Sequence, residues 1–415
     1  MNELEAKVQK LETLLNVAKE LTSQLDLDKL LDTIMEEVTQ VMAAERSSLY
    51  LIDEERGELW TKVAQGLDDI IRIPIGKGIS GIVAQTGETL CIEDAWEFPG
   101  FDRSWDLRNN FRTRSVLCMP VNNREGKRIG VIQVINKREG LFTSDDEDLL
   151  AGLTSLIGIA IENAILHKEA IEKQRIEAEL ELAAEIQRGL LPESPPVLEG
   201  YEIAAMSIPA RQVGGDYYDF VREDEGHVAL IIGDVSGKGI PAAMLMAVAM
   251  SGLHAIDAPS PPDKMARLND LLYESTDSWQ YSTLFYASLD LERRMLTTIN
   301  AGHNPMILAD REGRIRFLEK GGMALGMFGS EISEYSAEET QLHPGDLLVM
   351  YTDGVTDATN EDDEDFGADR LVELVRGNCR KSAEELKDII YDEVRKFVGN
   401  APQFDDLTLL ILKAL

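Results

Sequence analysis

Cysteine is nearly absent from this chain. Only Cys91, Cys118 and Cys379 occur in 415 residues, far apart and without a CxxC pair. A disulfide framework is therefore excluded, and a reducing cytoplasm is the expected compartment. Long apolar runs are missing too: no stretch approaches the ~20 residues needed to span a bilayer. The opening residues, Met1-Asn2-Glu3-Leu4-Glu5, are acidic and lack an apolar signal core. A soluble, cytoplasmic protein is expected. Positive charge is also scarce, with 41 Lys and Arg against 75 Asp and Glu and a net charge of −34. Such a surface repels nucleic-acid phosphates and anionic lipid, so neither nucleic acid nor membrane is an expected partner. What the chain does have is apolar material, 44% of its residues. That is enough for two or three cores at roughly 150 residues per domain.

The pattern divides the chain into four parts. In residues 1–24, Leu4, Val8, Leu11, Leu15, Ala18 and Leu25 recur at heptad spacing. This predicts a helix that either pairs with a second copy or lies on its own domain. Residues 25–165 mix a helical run, Leu30 to Met42, with short β-rich runs at Ser47–Ile52, Leu59–Ala64, Thr89–Ile92, Val116–Val121 and Ile129–Ile135. Asn122 to Lys127 marks a hairpin between the last two. Ser144 with Glu147 reads as a capping box opening a long helix. An antiparallel sheet with flanking helices follows. Residues 166–192 stay helical until Gly189 and Pro192, with a seam of Ile176, Leu180, Ala183, Gln187 and Leu190 that predicts a coiled-coil connector. Residues 193–415 interleave strands at His227–Ile232, Leu284–Leu289, Leu347–Tyr351 and Leu407–Leu412 with helices at 241–255, 262–276, 370–376 and 383–398.

Aspartates punctuate this last part. Asp216 follows Val213-Gly214-Gly215. Asp234 ends a strand in Ile232-Gly233-Asp234-Val235-Ser236-Gly237-Lys238-Gly239. Asp353 ends another in Tyr351-Thr352-Asp353-Gly354, and Asp405-Asp406 precede the last strand. Asp and Gly are common in turns, so one such motif means little. Four in one unit, each tied to a strand, predict carboxylates held together by a rigid sheet. Crowded carboxylates cannot all ionise without cations. Oxygen-only ligation suits Mg²⁺ or Mn²⁺. Two or more such ions polarise a phosphoryl group and acidify a bridging water. Two look-alikes fail. Gly233 to Lys238 has the wrong glycine spacing for a P-loop, and Gly76-x-Gly78-x-x-Gly81 lies among antiparallel runs rather than in a βαβ unit.

The ordered motifs Gly-Gly-Asp-Tyr-Tyr-Asp (214–219), Gly-Asp-Val-Ser-Gly-Lys-Gly (233–239), Ala-Gly-His-Asn-Pro (301–305), Tyr-Thr-Asp-Gly-Val-Thr-Asp-Ala (351–358) and Asp-Asp-Leu-Thr (405–408) resemble the bacterial branch of PPM (PP2C-like) phosphatases of sporulation and stress response. The resemblance implies a protein serine/threonine phosphatase with an α-β-β-α sandwich. It implies that Asp234 bridges two metals while the Val235 carbonyl contacts one. Asp353 and Asp405 would complete the first metal's ligands, and Asp216 would support the second. Asp406 could exchange roles with Asp405. Asp234, Asp353 and Asp405 are the implied catalytic set. Ser236 stands where the eukaryotic branch has a histidine, which leaves the general acid unassigned, with His303 a substitute. Arg211 is the candidate phosphate grip.

Residues 25–165 resemble a GAF domain, through Gly76-Lys77-Gly78-Ile79-Ser80-Gly81, Ile92-Glu93-Asp94-Ala95, Phe111 to Pro120, and Asn136-Lys137 with Phe142 and Asp146-Glu147. That last pattern is similar to GAF domains that bind cyclic nucleotides. It implies cAMP or cGMP as ligand, with Asp94, Arg112 and Thr113 as pocket candidates and Cys118 in the core. The expected fold class is thus a multidomain α+β chain of GAF sensor, coiled-coil connector and phosphatase domain. The expected assembly is a parallel homodimer, and the expected substrate a phosphorylated anti-sigma-factor antagonist of a partner-switching pathway. The competing expectation is a catalytically silent cyclic-nucleotide-binding scaffold that docks partner proteins. A metal phosphodiesterase would carry His-rich motifs, which are missing.

Overall fold

The computed structural model describes residues 3–61, 71–108, 110–276, 280–329 and 331–415, and the chain divides into two units, Met1–Ile176 and Glu177–Leu415. Helix α1 (Glu3–Ser23) opens the first unit. Its Val17 and Leu21 are buried in the domain core, while Val8, Leu11 and Leu15 of the predicted seam stay exposed. The helix therefore lies on its own domain through Leu14, Val17 and Leu21, a face beside the heptad positions rather than the seam itself. The side chain of Leu4 falls outside the described residues. Helix α2 (Leu27–Val41) begins where Asp26 accepts the N–H groups of Asp28 and Lys29. This satisfies two donors that a helix start leaves open. Its Leu30, Ile34, Met35 and Val38 repeat at helical spacing and enter the same core.

Six strands build the sheet: β1 (Ala44–Asp53), β2 (Glu58–Thr61), β3 (Ile71–Pro74), β4 (Leu90–Ile92), β5 (Val116–Asn122) and β6 (Arg128–Lys137). Their order is β3-β2-β1-β6-β5-β4, antiparallel throughout. The predicted strand at 59–64 is seen to Thr61, and its remainder lies outside the described residues. The β5–β6 hairpin closes at Asn123, whose N–H donates to the Lys127 carbonyl. Helix α3 (Gly78–Thr86) and the short α4 (Ser104–Arg108) lie between strands.

Helix α5 (Ser144–Arg188) changes character along its length. Leu150, Leu153, Ile157, Ala160, Ile161 and Ala164 are buried, whereas Leu166, Ile171, Ile176, Leu182 and Ile186 are exposed. Among the described residues it is the one helix long and apolar enough to cross a membrane, and 44% of its apolar stretch is buried within the fold. Its entry differs from the predicted box. Thr143, through its N–H and Oγ1, donates to Asp146, so the start is set by Thr143 and Asp146 rather than Ser144 and Glu147.

The second unit holds two antiparallel sheets. One is built from β8 (Tyr217–Arg222), β9 (His227–Val235), β10 (Ser282–Asp290) and β11 (Met295–Ala301), with the short β14 (Gly321–Gly322) and β15 (Glu338–Gln341) on β11. The other is β7 (Tyr201–Ile208), β17 (Leu407–Ala414), β16 (Leu347–Tyr351), β12 (Met306–Ala309) and β13 (Ile315–Leu318) in spatial order. The period-2 alternation of β9 explains the layering. Val228, Leu230 and Ile232 face the core shared with the second sheet. Ala229, Ile231 and Val235 face α6 (Ile240–Ala255) and α7 (Pro261–Ser275). Helices α9 (Ala368–Asn378) and α10 (Ala383–Val398) join the shared core through Leu371, Val375, Leu386, Ile390 and Val394. A single turn, α8 (Asp353–Thr356), follows β16.

Candidate active site

Strand pairing brings the aspartates together. Tyr217, directly after Asp216, pairs with Gly233, directly before Asp234, across β8 and β9. Tyr351 pairs with Leu409 across β16 and β17, which places Asp353 and Asp405 at neighbouring strand ends of the other sheet. Two carboxylates from each sheet thus meet at one edge of the sandwich. Thr352 ties the two sheets there: its Oγ1 donates to Asp216 Oδ2 at 2.6 Å, and its N–H donates to the Thr408 carbonyl at 3.1 Å. The glycines are required by contact. A Cβ on Gly215 would sit 2.8 Å from the Val235 carbonyl oxygen, and one on Gly354 would sit 1.9 Å from the Asp406 carbonyl oxygen.

The electrostatics follow from this crowding. Burial and then the charges of Asp353 and Asp405 push the Asp234 carboxyl up to about 7. Burial and the Asp234 charge hold Asp216 well above the usual carboxylate range, against the Thr352 hydrogen bond. Burial and Asp405 raise Asp353 as well, and Lys238 partly offsets them. Carboxylates that raise one another's pKa in this way form a site deficient in positive charge. The donor chemistry of such a set, oxygen only and rich in negative charge, is that of a hard divalent cation, although among the described residues no three acids stand close enough to form a ready-made metal cluster. The Val235 carbonyl fits it too, facing the same Gly215 position as Asp234 Oδ1.

Asp406 is placed differently. Its Oδ1 accepts the Ala210 N–H at 2.7 Å and its Oδ2 the Gly215 N–H at 2.8 Å. Both oxygens bond to the 210–216 loop, so Asp406 positions the segment carrying Asp216. His303 is similarly committed. Its Nε2 donates to the Tyr351 carbonyl, its Nδ1 accepts from Thr283 Oγ1 at 2.6 Å, and burial holds its pKa down at about 4. A neutral ring with both nitrogens occupied is no general acid. Ser236 Oγ accepts the Tyr281 N–H. Arg211 is exposed and makes no hydrogen bond or ion pair with the cluster among the described residues.

Two residues escaped the sequence reading. Lys238, dismissed with the P-loop look-alike, lies 2.9 Å from Asp405 Oδ2, donates to the Phe404 carbonyl and stacks on the Phe404 ring. Positive φ at Gly237 and Gly239 lets the turn present it there. Gln187, assigned to the connector seam, instead exchanges two hydrogen bonds with the Gly214 backbone, at 2.6 and 3.0 Å. The apolar side chains exposed at that end of α5 are Leu182 and Ile186.

The first unit holds a cavity of about 250 Å³ lined by Arg46, Tyr50, Lys77, Ser80, Phe101, Trp105, Asp106, Phe111, Thr113 and Gln133, among others. Arg46 stacks on Phe111 at 4.1 Å. Thr113 lines the cavity, but its N–H and Oγ1 both donate to Asp106. Asp94 and Arg112 do not line it. Asp94 caps the Ala95–Glu97 turn and pairs with Arg112, which is exposed and stacks on Trp96. Lys137 and Asp146 form an ion pair that braces β6 against α5. Cys118 is fully buried.

A sequence-family profile described as Stage II sporulation protein E (SpoIIE) matches residues 224–415, and one described as GAF domain matches residues 26–161. Phosphoserine phosphatase RsbU of Bacillus subtilis (strain 168) is 31% identical over 280 residues, 66% of this chain and 82% of RsbU. Dual 3',5'-cyclic-AMP and -GMP phosphodiesterase 11A of Takifugu rubripes is 38% identical over 170 residues, 37% of this chain and 19% of that relative. The solved SiaA-PP2C domain of Pseudomonas aeruginosa aligns with a TM-score of 0.52 at 24% identity, covering 59% of this chain and 99% of that domain. At that identity the likeness speaks for the fold, a PP2C-like sandwich.

Proposed function

The chain belongs to the RsbU-like, SpoIIE-type family of PP2C phosphatases and carries a GAF domain, and on that footing we propose a Mn²⁺- or Mg²⁺-dependent phosphoserine/phosphothreonine protein phosphatase governed by its GAF ligand. The observation that carries this is the meeting of Asp216 and Asp234 from one sheet with Asp353 and Asp405 from the other. Asp234, Asp353, Asp405 and the Val235 carbonyl would hold the cations. Bound there, the ions neutralise phosphoryl oxygens and lower the pKa of the attacking water. Asp216 and Thr352 orient Asp234. Asp406 fixes the loop that carries Asp216. Once Asp405 is taken by a cation, the Lys238 ammonium is free to hold a phosphoryl oxygen, the role sought in Arg211. With His303 committed, the leaving alkoxide takes its proton from solvent.

The substrate is a phosphorylated protein, by kinship with the phosphoserine phosphatase RsbU, and the motif resemblance to sporulation and stress-response phosphatases suggests an anti-sigma-factor antagonist of a partner-switching pathway. The GAF cavity combines aromatic walls with cations and acids, which suits cAMP or cGMP. The exposed Val8, Leu11 and Leu15 of α1 and Leu182 and Ile186 of α5 support pairing of two copies. Gln187 supports a route of control, since it grips Gly214 two residues from Asp216.

The test is Mn²⁺-dependent hydrolysis of p-nitrophenyl phosphate by the full chain and by Asp234→Ala and Asp353→Ala. Activity in the parent and its loss in both variants supports the mechanism, and activity surviving both sinks it. Calorimetry with cAMP and cGMP tests the sensor; heat from neither removes the cyclic nucleotide.

A further inference from the structure

A second opening adjoins the carboxylate cluster. It encloses about 240 Å³ between α10, the turn after α8 and the 399–407 segment, and it shares Gly354 and Asp405 with the cluster. Its walls are largely apolar, with Tyr391 and Val398 from α10 and Ala401 from the following loop. Phe404, 73% exposed, stands at the same place and carries Lys238 on its ring. Arg395 is the one cation on its lining, which also carries the carboxylates of Asp357 and Asp405. Arg395 reaches only the Tyr391 side chain and pairs with no carboxylate among the described residues, although acids outnumber bases 75 to 41.

We propose that this groove receives the segment flanking the phosphorylated residue of the substrate protein, seating one bulky apolar side chain against Tyr391, Val398 and Phe404 and pairing an acidic neighbour with Arg395. The proposal deepens the phosphatase reading and rests on it. Continuity decides the occupant: a phosphorylated side chain that reaches Asp405 and Lys238 brings its own flanking residues to the groove mouth. The volume admits one large side chain, not a folded partner. The unpaired guanidinium selects an acid over a base next to it.

The experiment compares phosphoserine peptides on the full chain with Mn²⁺. One peptide carries Leu and Glu beside the phosphoserine, and the other carries Ala and Lys. p-Nitrophenyl phosphate, which has no flanking residues, serves as reference. The expected result is a kcat/KM preference of about tenfold for the Leu/Glu peptide, expressed in KM, as one anchored side chain supplies. In Ala401→Trp, which fills the groove, and in Arg395→Glu, which reverses its charge, that preference should collapse relative to the reference substrate. Equal use of both peptides by the parent overturns the proposal without any variant. So does a preference that persists in both variants while p-nitrophenyl phosphate is still turned over. A parent inactive even on p-nitrophenyl phosphate instead removes the phosphatase reading, and the groove proposal falls with it.

Discussion

The carboxylate cluster and the GAF cavity both gather charged side chains, but they balance charge in opposite ways. In the cluster, burial and neighbouring carboxylates raise all three: Asp234 acts on Asp216, Asp353 and Asp405 act on Asp234, and Asp405 acts on Asp353, with Lys238 paired to Asp405. Around the GAF cavity each acid already has donors. Asp106 accepts from Thr113 and from Trp96 Nε1, and Asp102 accepts the Ser104 N–H. A site with uncompensated charge announces the sign of what it must bind. A cavity whose groups are mutually satisfied announces only size and mixed character. This is why charge points to the cation we propose for the cluster, while the cavity points to no one ligand.

Removing charge from the cluster and from the Lys137–Asp146 pair of the first unit should therefore have opposite effects on stability. Asp234→Asn should lower Mn²⁺-dependent kcat/KM by about a thousandfold or more, on the order of 4 kcal/mol. Its metal-free melting temperature should hold or rise, because repulsion is relieved. A metal-free melt well below the parent's would break the contrast. Lys137→Met should do the reverse, destabilising the first unit by roughly 3 kcal/mol because it strands a largely buried Asp146. Denaturant unfolding reads that loss, and p-nitrophenyl phosphate turnover by the folded protein should be retained.

Lys238→Met sharpens the picture of the cluster. KM and the inhibition constant for inorganic phosphate should rise about tenfold to a hundredfold. Mn²⁺ should bind more tightly by calorimetry, since no ammonium competes for Asp405. Unchanged phosphate inhibition would remove Lys238 from phosphate binding.

The smallest effect is in pH dependence. His303 is held neutral, its pKa lowered from 6.5 to about 4 by burial. As pH falls, the unfolded chain binds that proton first, so stability present above 6.5 is lost on descent toward 4. Asp234 acts in the opposite sense without metal: its carboxyl is raised from 3.8 to about 7, so stability declines as pH rises through that range. In an Asp234→Asn background, His303→Gln should flatten the slope between 4 and 6.5. A slope that survives places its origin elsewhere.

Much of the second unit was legible because its signals are local. Helix α10 matches its predicted span, and Ser382 and Glu385 form its capping box. Strands β9, β16 and β17 read as apolar runs bounded by aspartates, at the end of the first two and before the start of the third. The losses came where contacts are distant in sequence. Gln187 has the spacing of a seam residue, yet Gly214 claims its amide. Asp406 looks equivalent to Asp405 until the 210–216 loop takes both its oxygens. Asp94, Arg112 and Thr113 sit in a GAF-like stretch, but local pairing withdraws the first two from the cavity and Asp106 occupies the third.

By itself, the sequence determined the residue types, the strand ends on which the aspartates sit and the family to which they belong, because apolar periodicity and motif order are one-dimensional. Only the tertiary structure decided which carboxylates face one another, which are committed to backbone amides, and that Lys238 rather than Arg211 stands at the cluster. Those outcomes depend on two sheets packing so that their strand ends meet across a separation in sequence of nearly two hundred residues, from Gly215 to Asp406. Charge crowding, hydrogen-bond competition and the apolar groove beside Asp405 exist only once that meeting is made.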